Sequence, residues 1–272
     1  MSKILVVANQ KGGVGKTTTA VNLSASLAAT KRKVLMVDLD PQGNATMGSG
    51  INKHELELSL YDVLTAKCKI GEAIISSETA GYDVVPTNSD LTAAEVELMK
   101  MSQRESRLRF ALEEISTDYD YIIIDCPPSL SMLTINAMVA AHGVLIPMQC
   151  EYYALEGLSA LMQTIEKIKS GLNPELAIEG ILRTMYDPRN SLTVDVSTQL
   201  ITHFGDKVYG TVIPRNVRLA EAPSYGLPVL AYDKNSRGAI AYLALAGEMN
   251  RRTKSKKPAA KKTVNKKVTS QV

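Results

Sequence analysis

The chain has 272 residues, of which 45% are hydrophobic and 22% charged, with three cysteines and a formal net charge of +3. That content fills a globular core and excludes a mostly disordered chain, a collagen-like fibre and a disulfide-stapled miniprotein. A membrane-spanning helix needs about 18 or more apolar residues in a row; the most apolar stretch here, 133–148, is broken by Asn136, His142 and Pro147.

Apolar runs rich in Val and Ile alternate with longer amphipathic stretches. Residues 3–8 read as a buried strand that leads directly into a glycine loop, which is the pattern of a strand and not of a signal peptide. A helix is expected at 16–30 and a second strand at 33–38. The segment 50–81 is the least regular and is expected to hold an inserted pair of short helices. A strand follows at 82–86, then helices at 92–101 and 104–115. Strand 121–125, helix 130–141, strand 143–147 and helix 155–170 come next. Strand 178–185, helix 192–204, strand 208–213 and helix 236–251 complete the series. Strands without polar alternation, separated by helices, predict an α/β fold: a doubly wound, mostly parallel sheet with helices on both faces. A single domain over 1–252 is expected. Cys68, Cys126 and Cys150 are too scattered for a disulfide framework or a zinc site, and are expected to be small core side chains in a reducing cytoplasm.

The first strand and first helix are joined by Gln10, Lys11, Gly12, Gly13, Val14, Gly15, Lys16, Thr17 and Thr18. Glycines let backbone N–H groups converge on phosphate oxygens with no Cβ in the way. The helix N-terminus near Lys16 adds positive potential. The Lys16 ammonium can reach the β- and γ-phosphates of a nucleotide, and the Thr17 hydroxyl can hold magnesium. A strand before the loop and a helix after it is the context a P-loop NTPase requires. The usual first glycine of the motif is replaced by Gln10, and a second lysine, Lys11, follows it. Taken alone, Lys11 reads equally as a solvated loop lysine.

Asp38 and Asp40 close the second strand, and Asp125 closes the strand at 121–125. A carboxylate at the carboxyl end of a strand faces the crevice where such sheets bind ligands. Asp125 is expected near the magnesium through water, as a Walker-B aspartate is. Asp40 is expected to position or polarise the attacking water. Asp38, on the same face as Asp40, supports that region and reaches the metal only indirectly. Singly, each would read as a cap or turn aspartate. Together beside a phosphate loop they point to metal-assisted, in-line phosphoryl transfer to water.

The motif at 11–18, Val-Asp-Leu-Asp-Pro-Gln-Gly-Asn at 37–44, Ile-Ile-Asp-Cys-Pro-Pro-Ser at 123–129, and the segments 149–157 and 214–223 occur in that order. Over residues 1 to about 250 this set resembles the chromosomal ParA proteins of the Soj type, within the ParA/MinD class of ATPases with a deviant Walker A loop. The resemblance implies ATP and Mg2+ as cofactors and hydrolysis that is slow until a partner stimulates it. It implies an ATP-bound sandwich homodimer that binds double-stranded DNA without sequence preference. A ParB-type centromere-binding protein would trigger hydrolysis and release, and the cycle would segregate chromosome or plasmid origins on the nucleoid of a bacterial cell. Some Soj-type members also act on replication initiation. By the same resemblance Lys11 crosses to the partner's nucleotide, and a side chain at Gly12 would crowd the partner. Pro214, Arg215 and Asn216 contact adenine, Arg189 and Arg218 contact DNA phosphates, and Glu151 touches the partner's ribose.

The charge is unevenly spread. Residues 249–272 hold nine Lys or Arg and no acid, while the remaining chain is net −6. The segment 253–272 is expected to be disordered. It reads either as an attractor of polyanions or as a solubilising tail, and charge alone does not decide. A MinD-like membrane-positioning ATPase needs a C-terminal amphipathic helix with bulky apolar residues; 263–272 offers only Val264, Val268 and Val272, so no stable membrane anchor is expected. A phosphotransferase of the bacterial tyrosine-kinase kind carries a C-terminal tyrosine cluster, whereas the last tyrosine here is Tyr242. Iron–sulfur carriers of this fold need paired cysteines, and Cys126 has none nearby. A non-enzymatic scaffold shares every binding residue and differs only in whether Asp40 supports turnover.

Overall fold

Short hydrophobic runs with no polar alternation build the centre of the molecule. In the computed structural model, which describes residues 2–152 and 154–256, they form a single sheet. The first half of the chain gives β1 (Lys3–Val7), α1 (Lys16–Ala29), β2 (Val34–Asp38), α2 (Asn44–Gly48), α3 (Leu60–Leu64), β3 (Ile75–Ser77), β4 (Tyr82–Val85), α4 (Leu91–Leu98) and α5 (Arg107–Glu113). The second half gives β5 (Tyr121–Asp125), α6 (Met132–Ala140), β6 (Gly143–Gln149), α7 (Ala154–Gly171), β7 (Ala177–Tyr186), α8 (Ser191–Phe204), β8 (Val208–Pro214), α9 (Val217–Glu221), α10 (Val229–Tyr232) and α11 (Arg237–Lys256). The strand order is β3-β4-β2-β5-β1-β6-β7-β8. Every pairing is parallel except β3 with β4.

The two faces of β1 show why such strands carry no polar alternation. Ile4 and Val6 enter one core, together with Leu60, Leu108, Leu133 and Leu158 from helices on that side. Leu5 and Val7 enter the other, which α1 and α11 cover with Leu23, Leu27, Tyr242 and Leu245. A strand buried on both faces must be apolar at every position. The expected doubly wound architecture is therefore the one observed.

Three local differences have physical reasons. Within 50–81 the chain forms α3, a 3-10 turn at Ile70–Ala73 and the antiparallel edge strand β3. The strand escapes sequence reading because two of its three residues are exposed, so no apolar run marks it. The helix expected at 104–115 begins as a 3-10 turn and becomes α-helical at Arg107. The Asn136 side chain sets this entry: it donates to the Arg104 carbonyl (2.8 Å) and accepts from the Leu108 amide (3.1 Å). Finally, α11 continues past Arg252 to Lys256. Arg252 donates to the Asp206 and Val208 carbonyls, and Lys3 donates to the Thr253 hydroxyl, which ties this last part of the helix to the body. The rest of the basic segment, including 263–272, lies outside the described residues. Among the described residues no helix is long and apolar enough to cross a membrane.

Candidate functional site

The glycine loop leaves the carboxyl end of β1 and enters α1. Gly13 (φ 73°) and Gly15 (φ 86°) lie in the left-handed region, where a side chain is strained. Gly12 does not, and a Cβ built there meets nothing within 4 Å. Its own chain therefore places no demand for glycine at that position. Two contacts anchor the loop to neighbouring strands. The Thr184 hydroxyl, on β7, donates to the Val14 carbonyl (2.8 Å). Asn9 accepts from the Lys11 amide (3.0 Å) and donates to the Pro147 carbonyl (2.8 Å) on β6.

Both loop lysines are held by oxygens of this chain. Lys16 Nζ donates to the Lys11 carbonyl (3.1 Å), and Lys11 Nζ pairs with Glu151 Oε2 (2.5 Å). Burial lowers the pKa of Lys16, and the charges of Asp125 and Asp40 work against that shift.

Strand register assembles the acidic part. Val7 on β1 lies opposite Asp125 on β5, and Asp125 lies opposite Asp38 on β2. Residues directly opposite in parallel strands share a face, so two fully buried carboxylates stand side by side. Their environments differ. Asp38 accepts from the Thr46 amide and hydroxyl (both 2.7 Å) and from the Asp40 amide (3.2 Å). Thr46 Oγ1 in turn accepts from the Thr87 amide (3.0 Å). Asp38 thus holds the segment that carries Asp40. Burial raises its pKa to about 6. Among the described residues, neither oxygen of Asp125 has a hydrogen-bond partner. Burial, and then the Asp38 charge, push Asp125 well above the usual carboxylate range; the nearby Thr17 hydroxyl offsets part of this. A divalent cation beside Thr17 and Asp125 would satisfy those oxygens, and hard oxygen donors are what magnesium takes. The residues present therefore fit the ion.

Beside the loop lies a hollow of about 200 Å³, lined among others by Gly15, Thr18, Met185, Pro214, Arg215 and Asn216. The three residues expected at adenine thus meet the phosphate loop in one cavity. Asn216 also caps α9, accepting from the Leu219 amide (3.3 Å). Met185 was not legible in sequence: it is a φ 48° residue at an irregular point of β7, inside what reads as a plain strand. Thr46, Asn9 and Thr184 were missed for a similar reason, because their partners are distant in the chain. A larger hollow, of about 510 Å³ beside Ile4, His142 and Glu175, lies near the amino ends of β1 and β6, away from the glycine loop.

The two arginines expected at DNA are on the surface. Arg189 is 88% exposed and pairs with Asp187 (2.7 Å). Arg218 pairs with Glu221 (2.8 Å) and Asp233 (3.4 Å). Arg215 contributes to lowering the Asp187 pKa, after the larger effect of Arg189, which brings Arg215 into the same charged neighbourhood.

The sequence matches the AAA domain family over residues 2–178. It is 53% identical over 249 residues to the sporulation initiation inhibitor protein Soj of Bacillus subtilis, covering 92% of this chain and 98% of that one. It is 51% identical over 260 residues to the chromosome partitioning protein ParA of Caulobacter vibrioides, covering 95% and 97%. Among solved structures it is similar to cobyrinic acid a,c-diamide synthase from Mycobacterium smegmatis with bound ADP and magnesium. That match has a TM-score of 0.83 and 37% identity, and covers 94% of this chain and 97% of the other.

Proposed function

Because the chain belongs to the ParA/Soj family of chromosome-partitioning P-loop ATPases, we propose that it is an ATP-operated, DNA-binding switch that segregates replication origins. The observation that carries this reading is the junction of the glycine loop, buried Lys16 and the unsatisfied carboxylate of Asp125. The backbone of Gly12 to Gly15 and the ammonium of Lys16 bind the β- and γ-phosphates. Thr17, with Asp125 through water, would hold Mg2+, which neutralises phosphate charge when bound. Pro214, Arg215 and Asn216 hold the adenine. Asp40 orients the attacking water, and Asp38 keeps the Asp40 segment in place through Thr46.

ATP drives dimerisation, with Gly12 and Glu151 at the interface and Lys11 reaching the partner's phosphates. Open space at Gly12 supports this, because among the described residues a Cβ there meets nothing within 4 Å. The dimer sets two basic surfaces side by side, so affinity for double-stranded DNA rises through effective concentration. Arg189 and Arg218 supply phosphate contacts without sequence reading. Their pairings with Asp187 and Glu221 are exposed, and exposed pairs are weak enough to be exchanged for phosphate. A ParB-type centromere-binding protein stimulates hydrolysis, which resets the dimer and releases it from the nucleoid.

The test is DNA binding with no nucleotide, ADP or ATP, run beside Asp40→Ala and Lys16→Ala. ATP alone should switch binding on, Asp40→Ala should hold it on, and Lys16→Ala should abolish it. Binding that ignores the nucleotide would reject the switch.

A further inference from the structure

The turn that carries Asp40 is gripped on its inner side and within itself. On the inner side, the Asp40 amide donates to Asp38 (3.2 Å), which the Thr46 hydroxyl holds in turn (2.7 Å). Within the turn, the Gly43 amide donates to the Asp40 carbonyl (2.8 Å), and the Gln42 amide donates to Asp40 Oδ1 (3.0 Å). One oxygen of the Asp40 carboxylate is therefore tied to the main chain two residues on, the local bond by which an aspartate braces a turn. That bond fixes the direction of the whole carboxylate.

The outer side of the turn is covered by a residue that no motif marks. After α2 the chain reverses at Gly50 (φ 79°), where the Ile51 amide donates to the Thr46 carbonyl (3.2 Å). The reversal lays Lys53 against the turn. Its Nζ donates to the Gln42 carbonyl (2.6 Å), and among the described residues no carboxylate pairs with it. A bond from an ammonium is charge-assisted and stronger than one between neutral groups. The Lys53 stem also closes on Gly43. A Cβ built there would lie 2.9 Å from Lys53 Cδ and 2.7 Å from the Thr87 carbonyl oxygen, so Gly43 sits in a slot between the two. Gln42 is thus held at both ends, its carbonyl by Lys53 and its amide by the Asp40 carboxylate.

We propose that Lys53 is a positioning residue of the hydrolytic step: through Gln42 its ammonium holds the 40–43 turn so that the Asp40 carboxylate meets the attacking water. The proposal rests on the reading that Asp40 orients water. It does not rest on dimerisation, because every contact in it lies within one chain.

Lys53→Met keeps the stem against Gly43 and removes the ammonium, and Lys53→Arg restores a charged donor. Hydrogen–deuterium exchange of the nucleotide-free full chain reports on peptides spanning 40–47. Lys53→Met should exchange there about three- to tenfold faster, the range that one lost hydrogen bond accounts for. ATP hydrolysis with magnesium, followed over a range of ATP concentration, should be about three- to tenfold slower at saturation. KM should stay within about twofold, because the lost bond touches no part of the nucleotide. Lys53→Arg should lie close to the unsubstituted chain in both measurements. Unchanged exchange, unchanged hydrolysis, a rise in KM as large as the fall in rate, or a failure of Lys53→Arg to rescue overturns the proposal and leaves the role of Asp40 standing. Asp40→Ala is run beside them. If it hydrolyses ATP as fast as the unsubstituted chain, or if that chain does not hydrolyse ATP at all, the water-orienting reading of Asp40 fails and the proposal goes with it.

Discussion

Thr46 shows how one side chain can set the geometry of a site it does not touch. Its hydroxyl donates to Asp38 and accepts from the Thr87 amide, and its own amide also donates to Asp38. All of these groups are buried, so each lost partner costs desolvation that water cannot restore. Thr46→Val keeps the shape and removes the hydroxyl. It should lower stability by about 1–3 kcal/mol, seen as a lower denaturant midpoint at an unchanged slope. The loop from Lys11 to Thr18 was legible in sequence because its form is local: neighbours in the chain are neighbours in space. For Asp38 and Asp125 only their places at the ends of strands were legible. That they stand side by side follows from strand register, and that Asp38 is satisfied while Asp125 is not depends on α2 folding under β2.

Among elements, α9 carries Arg218 and starts at the hollow proposed for adenine. Its cap is Asn216, which also lines the hollow. Asn216→Ala removes a cap worth about 1 kcal/mol and loosens one wall of the hollow. ATP should then bind more weakly while tripolyphosphate affinity stays as it was; an equal loss for both would place the defect in the loop instead. The long buried strands were readable because burial on two faces leaves an unbroken apolar run. The edge strand β3 was not, since an edge exposed to water carries no such run. Boundaries shifted where a side chain from elsewhere intervened, as Asn136 does at the start of α5.

For the whole molecule, two outcomes follow from charge and assembly. Gly12→Val should fold and bind ATP, because its own chain leaves room for the side chain. It should nevertheless remain monomeric with ATP in light scattering; an ATP-dependent dimer would remove Gly12 from the interface. Ending the chain after Lys256 tests the basic segment without disturbing the bonds of Arg252 and Thr253. Five lysines are lost by this cut. If they neutralise DNA phosphates, the logarithmic salt dependence of DNA binding should become shallower by roughly 1 to 4 units. An unchanged slope would leave the segment a solubilising role.

Composition, hydrophobic runs and the contiguous loop were enough to establish a doubly wound sheet with a phosphate site at the end of its first strand, because each of these is a short-range property of the chain. Pairing of carboxylates on β2 and β5, the meeting of Met185 with Pro214 to Asn216, and the bond between Lys11 and Glu151 were decided by tertiary structure alone. Each joins residues from separate strands or connections, and their distance in space is set by the packing of the sheet, which no local pattern encodes.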